Sequence, residues 1–145
     1  MEISEIEAKL KLLDGRGSDD EYEAVKALSK LGDKFPDFLL QKYRVSKKWG
    51  ERASCVYHAI KFAKTNDSSY QLGIEAIQDK SKHVRYRACM LLAVAQKSEA
   101  IIVLESLLKN ADSASDAVAA IDSIKHQNHH YFADRDHSGK VTLNV

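Results

Sequence analysis

The stretch Lys82-His83-Val84-Arg85-Tyr86-Arg87-Ala88-Cys89-Met90-Leu91-Leu92 sets a small residue, Ala88, one helical turn before a large apolar one, Leu92. Two helices approach closely only where a small side chain leaves room and a neighbouring apolar side chain fills the groove. The same pair recurs on either side of this stretch as Ala24 with Leu28, Cys55 with Ala59 and Ala120 with Ile124. The four small residues stand 31, 33 and 32 positions apart, a period that stacked helical hairpins require.

Between these anchors the pattern is helical. Pro36 is the only proline, and no stretch before the last five residues alternates with the period of a strand. Ile3, Ile6, Leu10 and Leu13 predict an amphipathic helix over 2–13, closed by Asp14-Gly15-Arg16-Gly17. Ser18 to Asp20 offer caps for a second helix that carries Ala24, Ala27, Leu28 and Leu31 inward and ends at Gly32. Pro36 suits the first turn of a third helix bearing Phe38, Leu39, Leu40 and Tyr43. Further helices are expected over 50–64, 70–78, 82–96, 99–109 and 113–126, with short polar connections suited to antiparallel neighbours. The expected fold is all-α: a short α-α superhelix of four hairpins over 1–126, with residues 127–145 as an irregular C-terminal cap on the last repeat.

A chain of 145 residues, 44% hydrophobic and 30% charged, has enough apolar material for one core and one domain. Its 22 Lys and Arg against 21 Asp and Glu leave a formal charge of +1, which argues against affinity built on neutralising phosphates. No apolar run approaches the roughly 18 residues that span a bilayer, and Met1-Glu2-Ile3-Ser4-Glu5 lacks the blocks of a signal peptide, so a cytoplasmic protein with no membrane contact is expected. Cys55 and Cys89 sit among apolar and small residues and read as core thiols.

Asp79-Lys80-Ser81-Lys82-His83-Val84-Arg85-Tyr86-Arg87-Ala88 resembles the turn and second-helix opening of HEAT and HEAT-like (phycobilisome-lyase type) repeats. In those repeats an Asp, a Val-Arg pair and an Ala stand at these spacings. Ala24 to Asp33 is similar to the end of such a second helix. Arg52 stands where Arg85 does, but Ser46 replaces the Asp, and the last repeat has Asn110 and Asp116 in place of Asp and Arg. Those departures argue against an unbroken Asp–Arg ladder. The resemblance, over roughly residues 1–126, implies a protein that binds a protein or peptide on the concave wall lined by its second helices, as an adaptor, regulator or immunity-type protein.

On that wall, stepping by the repeat brings Tyr22 level with Tyr86, Lys26 with Tyr57 and Lys30 with Lys61, while Arg87 borders Tyr86. Tyr22, Lys26, Trp49, Tyr57, Lys61, Tyr86 and Arg87 are therefore the candidate partner-binding residues, because aromatic rings and long cations dominate contact surfaces. The alternative is an ordinary solvated helix face. Trp49, after Lys47-Lys48, could anchor a partner or cap the apolar seam between repeats. Arg85 is expected to serve structure by reaching Asp79 or a neighbouring carboxylate. Nucleic-acid or tetrapyrrole binding on the same wall is a further alternative; HEAT-like DNA glycosylases do place aromatic and acidic residues on a basic wall, which this balanced charge does not match.

Residues 126–141 hold four of the six histidines. Asp134, Asp136, Ser138, Gly139 and Val141 match the opening of a calcium-binding loop, but Val145 stands where the closing Glu belongs. His126, His129 and His130, with Asp134 or His137, have spacings that could serve zinc. Against both, an Asp-x-Asp-x-Ser-Gly turn can be held by its own carboxylate-to-amide hydrogen bonds, with Val141 to Val145 lying along the last hairpin. No metal, no cofactor and no catalytic residue is assigned: Gly15-Arg16-Gly17 lacks the strand and the Lys-Ser/Thr of a phosphate loop, and no nucleophile–base pair emerges.

Overall fold

The computed structural model describes residues 1–145 and contains helices and no strand. Eight α-helices follow in order: α1 Ile3–Leu10, α2 Asp19–Leu28, α3 Phe35–Val45, α4 Trp49–Ala59, α5 Asp67–Ala76, α6 Lys82–Ala95, α7 Ala100–Glu105 and α8 Ala114–Lys125. Tight 3-10 turns span Ser29–Lys34, Ile60–Phe62 and His129–Phe132. None of these helices is long and apolar enough to cross a membrane.

Local chemistry sets the starts. The Ser18 hydroxyl accepts the Glu21 amide, Asn66 accepts the Ser69 amide and Ser81 accepts the His83 amide, satisfying donors that a first turn leaves free. The Asn66 cap makes α5 begin at Asp67, three residues before the expected Tyr70. Ends come earlier than the apolar pattern predicts. After Leu10 the chain tightens into i→i+3 bonds from the Leu12 and Leu13 amides, and the same happens after Glu105 from Ser106 to Leu108. Leu13 nonetheless stays fully buried, so the apolar pattern marked packing rather than helix length. Gly32, expected to close the second helix, has φ +61° within the turn that follows α2.

Helices α1 and α2, α3 and α4, α5 and α6, and α7 and α8 pack as hairpins, while α4, α6 and α8 contact one another in succession and α3 lies against α5. All four small residues of the repeat, with their partners one turn on, are buried. A single apolar cluster runs from Ile6 to Phe132, with α6 contributing nine buried residues to it. Cys55 and Cys89 are free and lie within that cluster, and burial pushes both thiols up to about 12.

Polar rungs lock successive hairpins. Arg52 of α4 donates from Nε to Asp79 Oδ2 at 2.8 Å and from Nη2 to Oδ1 at 3.2 Å, and from Nη1 to the Lys47 carbonyl at 2.9 Å. Asp79 also accepts the Tyr43 hydroxyl at 2.8 Å and the Ser81 amide at 2.9 Å. Arg85 does not take the Asp79 carboxylate. It donates to the Asp79 backbone carbonyl at 2.8 Å and to Ser113 Oγ at 2.7 Å, because the carboxylate already belongs to the arginine one repeat earlier. Each arginine thus holds its own loop and reaches a polar side chain of the next hairpin, a carboxylate in one rung and a hydroxyl in the next.

Candidate functional site

The register position held by Arg52 and Arg85 is occupied in the first hairpin by Glu21. Its carboxylate is buried, yet it faces an arginine on neither side. The Gly17 amide donates to Oε1 at 2.9 Å, the Gly15 amide to Oε2 at 3.2 Å and the Ser54 hydroxyl of α4 to Oε2 at 2.5 Å. Glu21 thereby fills a small nest of loop amides from within, which answers what the glycine-rich loop holds. Gly15 is required there: its φ is +82°, and a Cβ would stand 2.3 Å from the Gly50 carbonyl oxygen.

Above this carboxylate opens a cavity of about 600 Å³. One wall is the Gly15 to Ser18 loop with Tyr22 of α2; the second is α4, through Trp49, Ala53, Tyr57 and His58; the third is α6, through His83, Tyr86 and Arg87. The Trp49 and His83 rings stack 4.6 Å apart. The Arg87 guanidinium lies 4.7 Å from the Tyr57 ring centre and 5.4 Å from that of Tyr86, positions at which a cation is attracted to an aromatic face. Tyr86 in turn leans on the buried Phe132 of the tail, with ring centres 5.6 Å apart. Burial pushes His58 below the ordinary histidine range, although Glu21, 3.7 Å away, pulls the other way.

Of the seven residues expected on a binding face, Tyr22, Trp49, Tyr57, Tyr86 and Arg87 line this cavity and Lys26 and Lys61 do not. Lys26 is exposed on α2 outside it. Lys61 falls in the 3-10 turn after α4, where its ammonium lies 3.3 Å from Ser29 Oγ and 5.6 Å from the Phe62 ring centre. Trp49 opens α4 and stacks on His83 of α6, and about half of its surface remains exposed on the cavity. Glu21, His58 and His83 were not anticipated.

The tail residues form a clasp. Asp134 Oδ1 accepts the Ser138 hydroxyl at 2.8 Å and amide at 3.0 Å, and Oδ2 accepts the Gly139 amide at 2.8 Å; the Ser138 hydroxyl first, then these amides, hold the Asp134 carboxyl below its usual range. His126 and His137 both turn to Asp122 of α8, at 3.0 and 2.5 Å, and His137 stacks on Tyr131 at 3.7 Å. His130 accepts the Leu143 amide. No group of three or more His, Cys, Asp or Glu side chains converges as a metal site, so neither Asp134, Asp136 and Ser138 nor His126, His129 and His130 come together as ligands.

No protein-family model matches the chain, and no curated protein matches it.

Proposed function

We infer that this is a HEAT-like, non-enzymatic binding protein of the cytoplasm that takes a protein or peptide segment against the face formed by α2, α4 and α6. One observation carries the reading. Every aromatic side chain with large exposure, Tyr22, Trp49, Tyr57 and Tyr86, lies on the same cavity. Exposed rings scattered over a surface need no explanation, whereas their concentration at one concave place is what a partner anchor requires. Other features support a binding role over catalysis. The Ser54 hydroxyl gives its proton to Glu21 rather than to a histidine, and the two thiols are buried and protonated. Two unpaired cysteines accord with a reducing compartment.

The test is capture from a lysate of the source cell by the immobilised protein and by a Tyr22→Ala/Trp49→Ala/Tyr57→Ala variant. The expected result is a reproducible partner lost by the triple variant, whose helicity and melting remain close to the parent's. A partner retained by a folded triple variant would move the binding surface elsewhere.

A further inference from the structure

Resting on that binding reading, we propose that the partner presents an acidic segment, and that Arg87 recognises an Asp or Glu side chain within it. The protein has six arginines. Five of them already have an oxygen partner: Arg16 with Asp14, Arg44 with Glu75, Arg52 with Asp79, Arg85 with Ser113 and Arg135 with Asp116. Arg87 alone has none. It is also the one that lines the cavity.

The Arg87 guanidinium lies within cation–π distance of Tyr57 and Tyr86, and no oxygen of the chain accepts from its N–H donors. A guanidinium carries a fixed fork of N–H donors that matches a carboxylate with two parallel hydrogen bonds. Because two rings already flank the guanidinium, less side-chain freedom is left to lose when a carboxylate arrives. Tyr22 and Trp49, across the cavity, supply apolar surface for a neighbouring side chain of the same segment. Glu21 does not compete for Arg87, since two backbone amides and a hydroxyl already engage its oxygens.

A peptide carboxylate suits this place better than the phosphates of a nucleic acid. The chain is nearly neutral, at +1, and the first turn of α2 beside the cavity adds Asp19 and Asp20 to the buried Glu21. A polyanion with closely spaced charges would run onto those carboxylates, whereas a single acidic side chain need meet only Arg87.

A phage library of random dodecapeptides panned against the full chain, followed by anisotropy titration of the most enriched peptide, tests this. Enriched peptides are expected to carry Asp or Glu beside an apolar residue. Arg87→Leu should weaken binding roughly tenfold or more, with Arg87→Lys in between, and replacing the peptide's acid by its amide should cause a similar loss. The two losses should not add, because they remove the same contact. The peptide-side change keeps the test valid if an Arg87 variant folds poorly. Enriched peptides with no acidic bias, bound equally by Arg87→Leu yet lost with Trp49→Ala, would overturn the carboxylate and leave the binding reading standing. Tighter, Arg87-dependent binding of oligothymidylate would overturn it in favour of phosphate. No enrichment, or enriched peptides indifferent to both Trp49→Ala and Tyr22→Ala, would remove the binding face itself.

Discussion

Arg52 and Asp79 stand 27 residues apart on successive hairpins and meet almost fully out of water, with two guanidinium nitrogens on two carboxylate oxygens. Burial alone would push Asp79 up, but hydrogen bonds from Arg52, the Ser81 amide and Tyr43 outweigh it and hold the carboxyl below its usual range. Burial and the same carboxylate push the Tyr43 hydroxyl well above an ordinary phenol. Such a pair adds little over a well-packed apolar substitute, yet breaking it strands a buried charge. Arg52→Ala should therefore cost roughly 3–5 kcal/mol in urea unfolding, while Arg52→Met with Asp79→Leu recovers much of that loss. Equal destabilisation by the single and double variants would show that the guanidinium's other bonds, to the Lys47 loop, matter more.

The approach of Gly15 to Gly50 predicts a contrast between two neighbouring glycines. Both Gly15 and Gly17 have positive φ, but a Cβ at Gly17 would meet nothing within 4 Å, while one at Gly15 would strike the Gly50 carbonyl. Gly17→Ala should cost about 1 kcal/mol for conformation alone, and Gly15→Ala clearly more. Thermal melting of the two variants side by side checks the order.

Phe132 lies beyond the last long helix yet is 1% exposed and belongs to the central cluster. Phe132→Ala should cost roughly 3–5 kcal/mol, as for a core aromatic. Removal of residues 127–145 should expose the apolar side of α8 and cause aggregation, visible by light scattering. A monomeric truncation with unchanged melting would show that the tail adds nothing to the fold.

His58 predicts a pH dependence with a definite sign. Above its ordinary value of 6.5 the imidazole is neutral in both folded and unfolded chains. As pH falls below 6.5, the unfolded chain takes up a proton that the buried folded site resists, so stability declines until the lowered folded value is passed. The slope from this one group cannot exceed roughly 1.4 kcal/mol per pH unit. His58→Gln should flatten the fall in melting temperature between neutral and mildly acidic pH. An unchanged slope would mean that Glu21 offsets burial in full.

Cys55 and Cys89 should react with a thiol reagent only as fast as the protein opens. Both are fully buried and held as thiols. Native labelling should be slow and should accelerate with denaturant; rapid labelling of either in buffer would place it at the surface.

The stacking order was legible because small residues are informative: Ala24, Cys55, Ala88 and Ala120 can be close to a neighbouring helix in only one register. Helix ends were less so, since Leu13 and Leu107 are buried by tight turns that keep an apolar pattern without continuing the helix. The three tyrosines of the cavity followed from the repeat step. Lys61 did not, since it lies in the turn beyond the end of α4, where its ammonium reaches Ser29. Glu21 follows Ser18 by three residues, the spacing of a capping-box acid, and the Ser18 hydroxyl caps its amide. The carboxylate instead turns to Gly15 and Gly17, for which the Gly-x-Gly spacing just before the cap was the available signal. His58 carries no such mark, since only packing across hairpins decides what a histidine on α4 faces.

Because the Gly15 to Ser18 loop and Tyr22 form one wall of the cavity while α4 and α6 form the others, the cavity is a seam between two parts of the molecule rather than a hollow in one. Undocking the first hairpin would erase it while leaving the later helices folded around α6. A guest touching both sides would act as a clasp, closing the N-terminal end by mass action. Bound ligand should slow amide exchange along α2 and leave α8 unaffected.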